Sequence, residues 1–348
     1  MQTFPDLISL AAGGFDYAVV RLVQGLSRGA GRGPDFQERL RRLQLAARAY
    51  RDIDPAAFFA PPPALQPLRA QHVRDLPGGE VVDLAWQSGF TPHEPQLRSD
   101  YLAFEENRIA HARLLRHAEP RPAIVCLHGY GAGIHRFEEL AWNARWLYRK
   151  GLDVALLTLP FHALRAPRFR KAPAFPSASI GRTIEGFGQA VWDVRSLLNW
   201  LRSRGSPLAG LAGMSLGGYT AALTATVEAR LDYAVLFIPL GDLTDVTVEH
   251  EALRGQHVPP YLIQAGKEAL SLVRPLARTP LVPGDRMLVA AARADRITPA
   301  EAHAHKLAEH FRAPMVTFAG SHLVQVGRAT AFAQMARLLA RQGALRPR

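Results

Sequence analysis

Residues 209–219 read A-G-L-A-G-M-S-L-G-G-Y and set one hydroxyl, that of Ser215, between an apolar run and a cluster of glycines. A serine on a turn too tight for neighbouring side chains occupies a nucleophile's position; the same residues would also serve as a plain structural turn. An isolated hydroxyl is too weakly acidic to attack a carbonyl, so the catalytic reading requires a base and a group that orients the base. Of the thirteen histidines, His322 in F-A-G-S-H-L is the candidate base, because it lies just past the last strand pattern, on the sheet edge where the serine turn also opens. Asp295, in A-A-R-A-D-R-I-T-P after the preceding strand, is the candidate acid. Its alternative role is to cap the helix that follows, and Asp242, in I-P-L-G-D after another strand, is the rival acid. His303, His305 and His310 fall in a helical pattern and read as solvated surface residues.

A developing oxyanion needs donors as well. One is expected from the backbone N–H of Leu216, at the start of the helix after the serine. Another is expected from the N–H of Tyr130 in L-H-G-Y-G-A-G, residues 127–133, where Gly129, Gly131 and Gly133 let the main chain bend close to a substrate. His128 in the same loop reads as a brace for the loop. The chain order Ser215, Asp295, His322 differs from the orders of chymotrypsin-like and subtilisin-like triads.

These residues need a scaffold that brings strand ends together. From about residue 80, short β-like runs alternate with helical patterns: 80–86, 108–115, 122–127, 153–158, 207–212, 233–239, 287–292 and 314–318. The clearest helix is 184–201, where Ile184, Phe187, Val191, Val194, Leu198 and Leu201 recur on one face. Such alternation predicts an α/β fold with a mostly parallel, eight-stranded sheet covered on both sides and an antiparallel start. Ligands in sheets of this kind bind beyond the carboxyl ends of the strands, where all three candidate residues lie. Upstream, 15–26 and 36–53 carry apolar positions at helical spacing, separated by G-A-G-R-G-P, and the proline-rich 58–67 makes a connector. The expected organisation is a helical extension with its connector over 1–70 and one catalytic domain over 71–348.

Composition bounds the function classes. The chain has 348 residues, 48% apolar and 21% charged, enough for a large core. Its single cysteine, Cys126, excludes an internal disulfide framework and a cysteine-based zinc cluster, and a reducing cytoplasm is the expected location. The acid-bearing N-terminus does not read as a secretory signal. The net charge of +12 comes from arginines scattered along the whole chain, and no nucleic-acid motif accompanies the densest run at 165–171, so a nucleic-acid partner is not expected. No metal site and no cofactor are implied. The apolar face Phe15, Val19, Leu22, Val23 and Leu26 is too short to span a bilayer; it suits docking on the core, or peripheral contact with a membrane interface. Nothing in the sequence assigns an oligomeric state.

Taken together, H-G-Y-G-A-G, G-M-S-L-G-G, A-D-R-I-T-P and G-S-H resemble the α/β-hydrolase superfamily over about residues 76–342, and its serine esterase and lipase-like branch in particular. The resemblance implies acyl transfer to water through an acyl-serine, and a small-molecule or lipid acyl ester as substrate. L-P-F-H-A-L-R-A-P at 159–167 resembles the loop after the fourth strand in this superfamily. His162 and Arg165 are candidates there for contact with a leaving group, with a structural role open for His162. Residues 241–285 lie where the superfamily inserts a helical cap, and Tyr261, Leu262 and Leu270 are candidates for substrate contact or for packing within the cap. An acyltransferase using the same acyl-serine, and a catalytically inactive binding scaffold, are the competing readings.

Overall fold

The computed structural model describes residue 16 and residues 35–65, 68–168, 173–253 and 255–345. Nine strands form one sheet in the order β1-β2-β3-β5-β4-β6-β7-β8-β9. They are β1 Arg69–Leu76, β2 Gly79–Gln87, β3 Ile109–His117, β4 Ala123–Leu127, β5 Asp153–Leu157, β6 Ala209–Met214, β7 Ala234–Phe237, β8 Met287–Ala292 and β9 Met315–Phe318. Pairing is antiparallel from β1 through β2 and β3 to β5, and parallel across β5, β4, β6, β7, β8 and β9. The parallel strands β4, β5 and β8 are buried along their whole length, which is why they read as unbroken apolar runs. Eight strands lie where the sequence places them. The ninth, β1, has no counterpart among the sequence-predicted runs: R-A-Q-H-V-R-D-L has no apolar alternation because, as an edge strand, it is mostly exposed.

Successive side chains feed opposite faces of the sheet. Val125 and Leu127 of β4 pack with Phe187, Val191 and Leu198 of a central helix, Ile180–Ser203, and with Tyr219 and Leu223 of the helix Leu216–Thr224. Ile124 and Cys126 pack on the other side with Leu147, Phe332, Met335 and Leu339. The helix Phe36–Tyr50 packs through Leu43 against Leu262, Ala265 and Ala269 of the helix Pro260–Ala269, so this part of the N-terminal region seats on the segment expected to form a cap. The sequence-predicted helix over 15–26 and its apolar face lie outside the described residues, apart from Asp16.

One buried ion pair sets the loop that follows β5. Arg165 is fully buried; its guanidinium donates to Asp193 Oδ2 at 2.8 Å, to Thr158 O at 3.1 Å and to Asn107 O at 2.8 Å. This corrects the expectation that Arg165 contacts substrate, since the side chain is fully buried and both terminal nitrogens are bonded inside the protein. Removing one partner strands a charge in the core, at about 3–5 kcal/mol. Asp193→Ala should therefore lower the unfolding free energy by about that much, measured by urea titration; a change near zero would contradict the assigned role.

Candidate active site

Ser215 sits between β6 and the helix Leu216–Thr224 with φ 54° and ψ −112°, a conformation that side-chain-bearing residues rarely adopt. Three neighbours are glycine for steric reasons. A Cβ at 213 would lie 2.0 Å from Gly217 O, one at 217 would lie 2.1 Å from Leu127 O, and one at 218 would lie 2.9 Å from Pro239 Cα. The strand, the helix and the end of β4 therefore meet at backbone distance, and the turn lifts Oγ clear of the sheet.

That hydroxyl is 3.0 Å from His322 Nε2, and His322 Nδ1 is 2.8 Å from Asp295 Oδ2. Asp295 does not cap the helix that follows, which begins only at Ala304; instead its Oδ1 accepts from the N–H of Ile297 at 2.9 Å and of Thr298 at 2.7 Å, closing the turn after β8. The rival Asp242 is elsewhere, with Oδ1 accepting from Thr244 N at 2.8 Å and Oδ2 paired with Arg274. The structure thus brings Ser215, His322 and Asp295 together and leaves Asp242 apart. It adds Thr298, whose hydroxyl donates to Asp295 Oδ2 at 3.0 Å, and Gln325, whose amide donates to His322 O at 3.1 Å. Thr298 could have been found from the D-x-x-T spacing of the turn; Gln325 leaves no comparable local signal.

The two expected oxyanion donors flank the serine. Leu216 opens a helix, whose first N–H groups have no intrahelical acceptor. A Cβ on Gly129 would be 3.6 Å from Ser215 Cβ, so the loop carrying Tyr130 lies directly beside Ser215. His128 braces that loop: its Nε2 accepts from Leu159 N at 3.0 Å, its Nδ1 donates to Gly129 O at 2.7 Å, and a Cβ on Gly133 would meet the ring at 2.6 Å. Burial holds its imidazole neutral, well below the ordinary histidine range.

His162 is fully buried, with its ring centroid 5.0 Å from that of His128 and 5.7 Å from that of Tyr130. Its Nδ1 donates to Pro160 O at 2.8 Å, which leaves Nε2 as a buried acceptor without a partner among the described residues. Tyr261 is about half exposed, on the helix Pro260–Ala269. A cleft of about 680 Å³ opens beside that helix, with Leu262 and Leu270 among its apolar walls and Glu38, Arg39 and Arg42 at its polar side; Ser215, Asp295 and His322 do not line it. His303 is not the solvated residue its helical pattern suggested. It is fully buried just before the helix Ala304–Phe311, accepting from Gly241 N at 3.2 Å and lying 3.0 Å from Glu249.

A family model, alpha/beta hydrolase domain containing 18, matches residues 85–248. The fold is similar to that of acetyl xylan esterase 1 from Thermoanaerobacterium sp. JW/SL YS485, with a TM-score of 0.54, 13% identity and coverage of 87% of this chain and 93% of that one. The chain has the α/β-hydrolase fold. The acetyl xylan esterase from Paenibacillus sp. R4 matches with a TM-score of 0.54, 15% identity and coverage of 88% and 95%. In sequence, this chain is 35% identical over 272 residues to the uncharacterized protein Rv2627c of Mycobacterium tuberculosis; the match covers 77% of this chain and 66% of the relative's length.

The buried histidine at 162 has a consequence for pH. Burial pushes its pKa down to about 4, against about 6.5 in an unfolded chain. Between these values the unfolded chain binds the proton and the folded chain does not, so stability is complete above about pH 6.5 and falls as pH drops toward 4. The contribution of His162 over that window is about 3 kcal/mol. Urea midpoints should drop from pH 7.5 to pH 4.5, and His162→Phe should flatten the drop; an unchanged slope in the variant would contradict the assignment.

Proposed function

We propose that this α/β-hydrolase cleaves a carboxylic ester, or a related acyl bond, through an acyl-serine formed on Ser215. The observation that carries the reading is the continuous relay from Ser215 Oγ to His322 Nε2 and from His322 Nδ1 to Asp295, at 3.0 and 2.8 Å. His322 takes the hydroxyl proton as Oγ attacks the acyl carbon, and Asp295 fixes the ring and stabilises the imidazolium. The N–H groups of Leu216 and Tyr130 receive the developing oxyanion. Collapse breaks the acyl–oxygen bond, and the leaving alcohol takes its proton from His322. Water then repeats the sequence, releasing the acid and restoring the serine. These steps call on no cofactor or metal.

The substrate proposed is a small-molecule or lipid acyl ester. His162, fully buried beside Tyr130, takes the structural role left open for it, and Tyr261, half exposed, is the proposed contact from the cap side. We read residues 241–285 as the cap, with the helix Phe36–Tyr50 as its buttress, and the extension over 1–70 as a unit appended to the catalytic domain. Among the described residues no helix is long and apolar enough to cross a membrane. The proposed location is the cytoplasm, with peripheral membrane contact through the N-terminal helices as the second reading.

Two measurements test the reading. A fluorophosphonate probe should label the protein at Ser215 alone, and Ser215→Ala should abolish both labelling and ester turnover, lowering kcat by about 10⁴–10⁶; labelling that survives in the variant would refute the nucleophile. Asp295→Asn should lower kcat by about 10⁴ in a folded protein, whereas Asp242→Asn should disturb the Arg274 pair and leave turnover little changed. The reverse pattern would move the acid to Asp242. Release of free acid marks a hydrolase, and transfer only to an added alcohol or thiol would instead mark an acyltransferase.

A further inference from the structure

Asp16 is the one described residue of the first 34, and its side chain is fully buried. Its Oδ1 accepts from Ser321 Oγ at 2.8 Å and from Leu323 N at 3.0 Å. Its Oδ2 accepts from His322 N at 2.8 Å and, more weakly, from Arg296 N at 3.4 Å. Both carboxylate oxygens are therefore taken up by two loops that carry the triad: the turn after β8, next to Asp295, and the loop after β9, around His322. A carboxylate taken fully out of water is tolerated only with several such donors, and removing it leaves those donors buried and unpaired. The Ser321 hydroxyl extends the network by accepting from Val324 N at 3.2 Å, which tightens the same loop.

The hold is on the backbone of the base itself. Triad chemistry requires His322 Nε2 to stay within hydrogen-bond reach of Ser215 while Nδ1 stays on Asp295, and a displacement of about 1 Å in such a site costs on the order of a hundredfold in rate. The loop after β9 is anchored by Gln325 as described above, but the two N–H groups of His322 and Leu323 are satisfied from Asp16, about three hundred residues away in the chain. We propose that Asp16 is a positioning residue of the triad, a carboxylate supplied by the N-terminal segment that ties the acid loop to the histidine loop. The proposal rests on the serine-hydrolase reading for its effect on rate, and on geometry alone for its effect on the loops.

The test uses the full-length protein with Asp16→Ala and Asp16→Asn. The asparagine keeps the shape and presents an amide NH2 to donors, so it keeps the test open if the alanine variant fails to fold. Amide hydrogen exchange over 319–326 should speed up at least tenfold in either variant while the central helix Ile180–Ser203 stays protected. The rate of fluorophosphonate labelling at Ser215 should fall ten- to a hundredfold, carried by kcat for a short soluble ester with KM little changed. In a His322→Ala background, Asp16→Asn should have no further effect on residual turnover, an outcome that a merely structural residue would not give. Unchanged exchange over 319–326, or unchanged labelling where the wild type labels, would overturn the proposal. A wild type that does not label would instead defeat the hydrolase reading, and the exchange result alone would then decide whether Asp16 holds the two loops.

Discussion

The site depends on one strained residue. Ser215 at φ 54° and ψ −112° is held in a backbone region that costs about 1–3 kcal/mol, and its surroundings are arranged to keep it there. Its N–H donates to Phe237 O at 3.0 Å, its carbonyl accepts from Leu240 N at 3.2 Å and Tyr219 N at 3.0 Å, and the glycines at 213, 217 and 218 admit the approach of three backbones. The turn is thus clamped by β7, by its own helix and by the end of β4. A hydroxyl raised in this way points out of the sheet edge, and the other groups of the site come to it on loops.

Those loops are anchored by buried polar contacts more than by apolar packing. His128 closes the loop that carries Tyr130, Arg165 and Asp193 hold the segment after β5, and Asp295 closes its own turn while facing His322. Each anchor satisfies backbone groups that would otherwise be buried unpaired, so positioning and polar satisfaction are achieved by the same contacts. Asp16 extends this rule to a residue from the other end of the chain.

Much of this is legible in the sequence because buried parallel strands are apolar on both faces and end at motifs whose chemistry demands particular residue types. β4, β6 and β8 announce themselves as short apolar runs, and the residues that follow them, L-H-G-Y-G-A-G, S-L-G-G and R-A-D-R-I-T-P, are the loops of the site. What stays hidden is whatever depends on distant partners. β1 is exposed and carries no pattern. Arg165 looks like a loop cation available to a substrate, since nothing near it in sequence reveals Asp193, its partner on the central helix. His303 reads as a surface residue because Gly241 and Glu249 reach it only in the fold. Asp16 gives no sign in the sequence of its distant partners, Ser321, His322 and Leu323.

The central claim is that catalysis passes through an acyl-serine on Ser215. The most direct measurement is acid quenching during the first turnover of an activated ester, followed by peptide mapping by mass spectrometry. The account predicts a burst of alcohol release matching the enzyme concentration, with the acyl mass on the peptide that contains Ser215 and its loss at the rate of steady-state turnover. Ester hydrolysis without a burst, and with no acyl group on that peptide at any quench time, would contradict it.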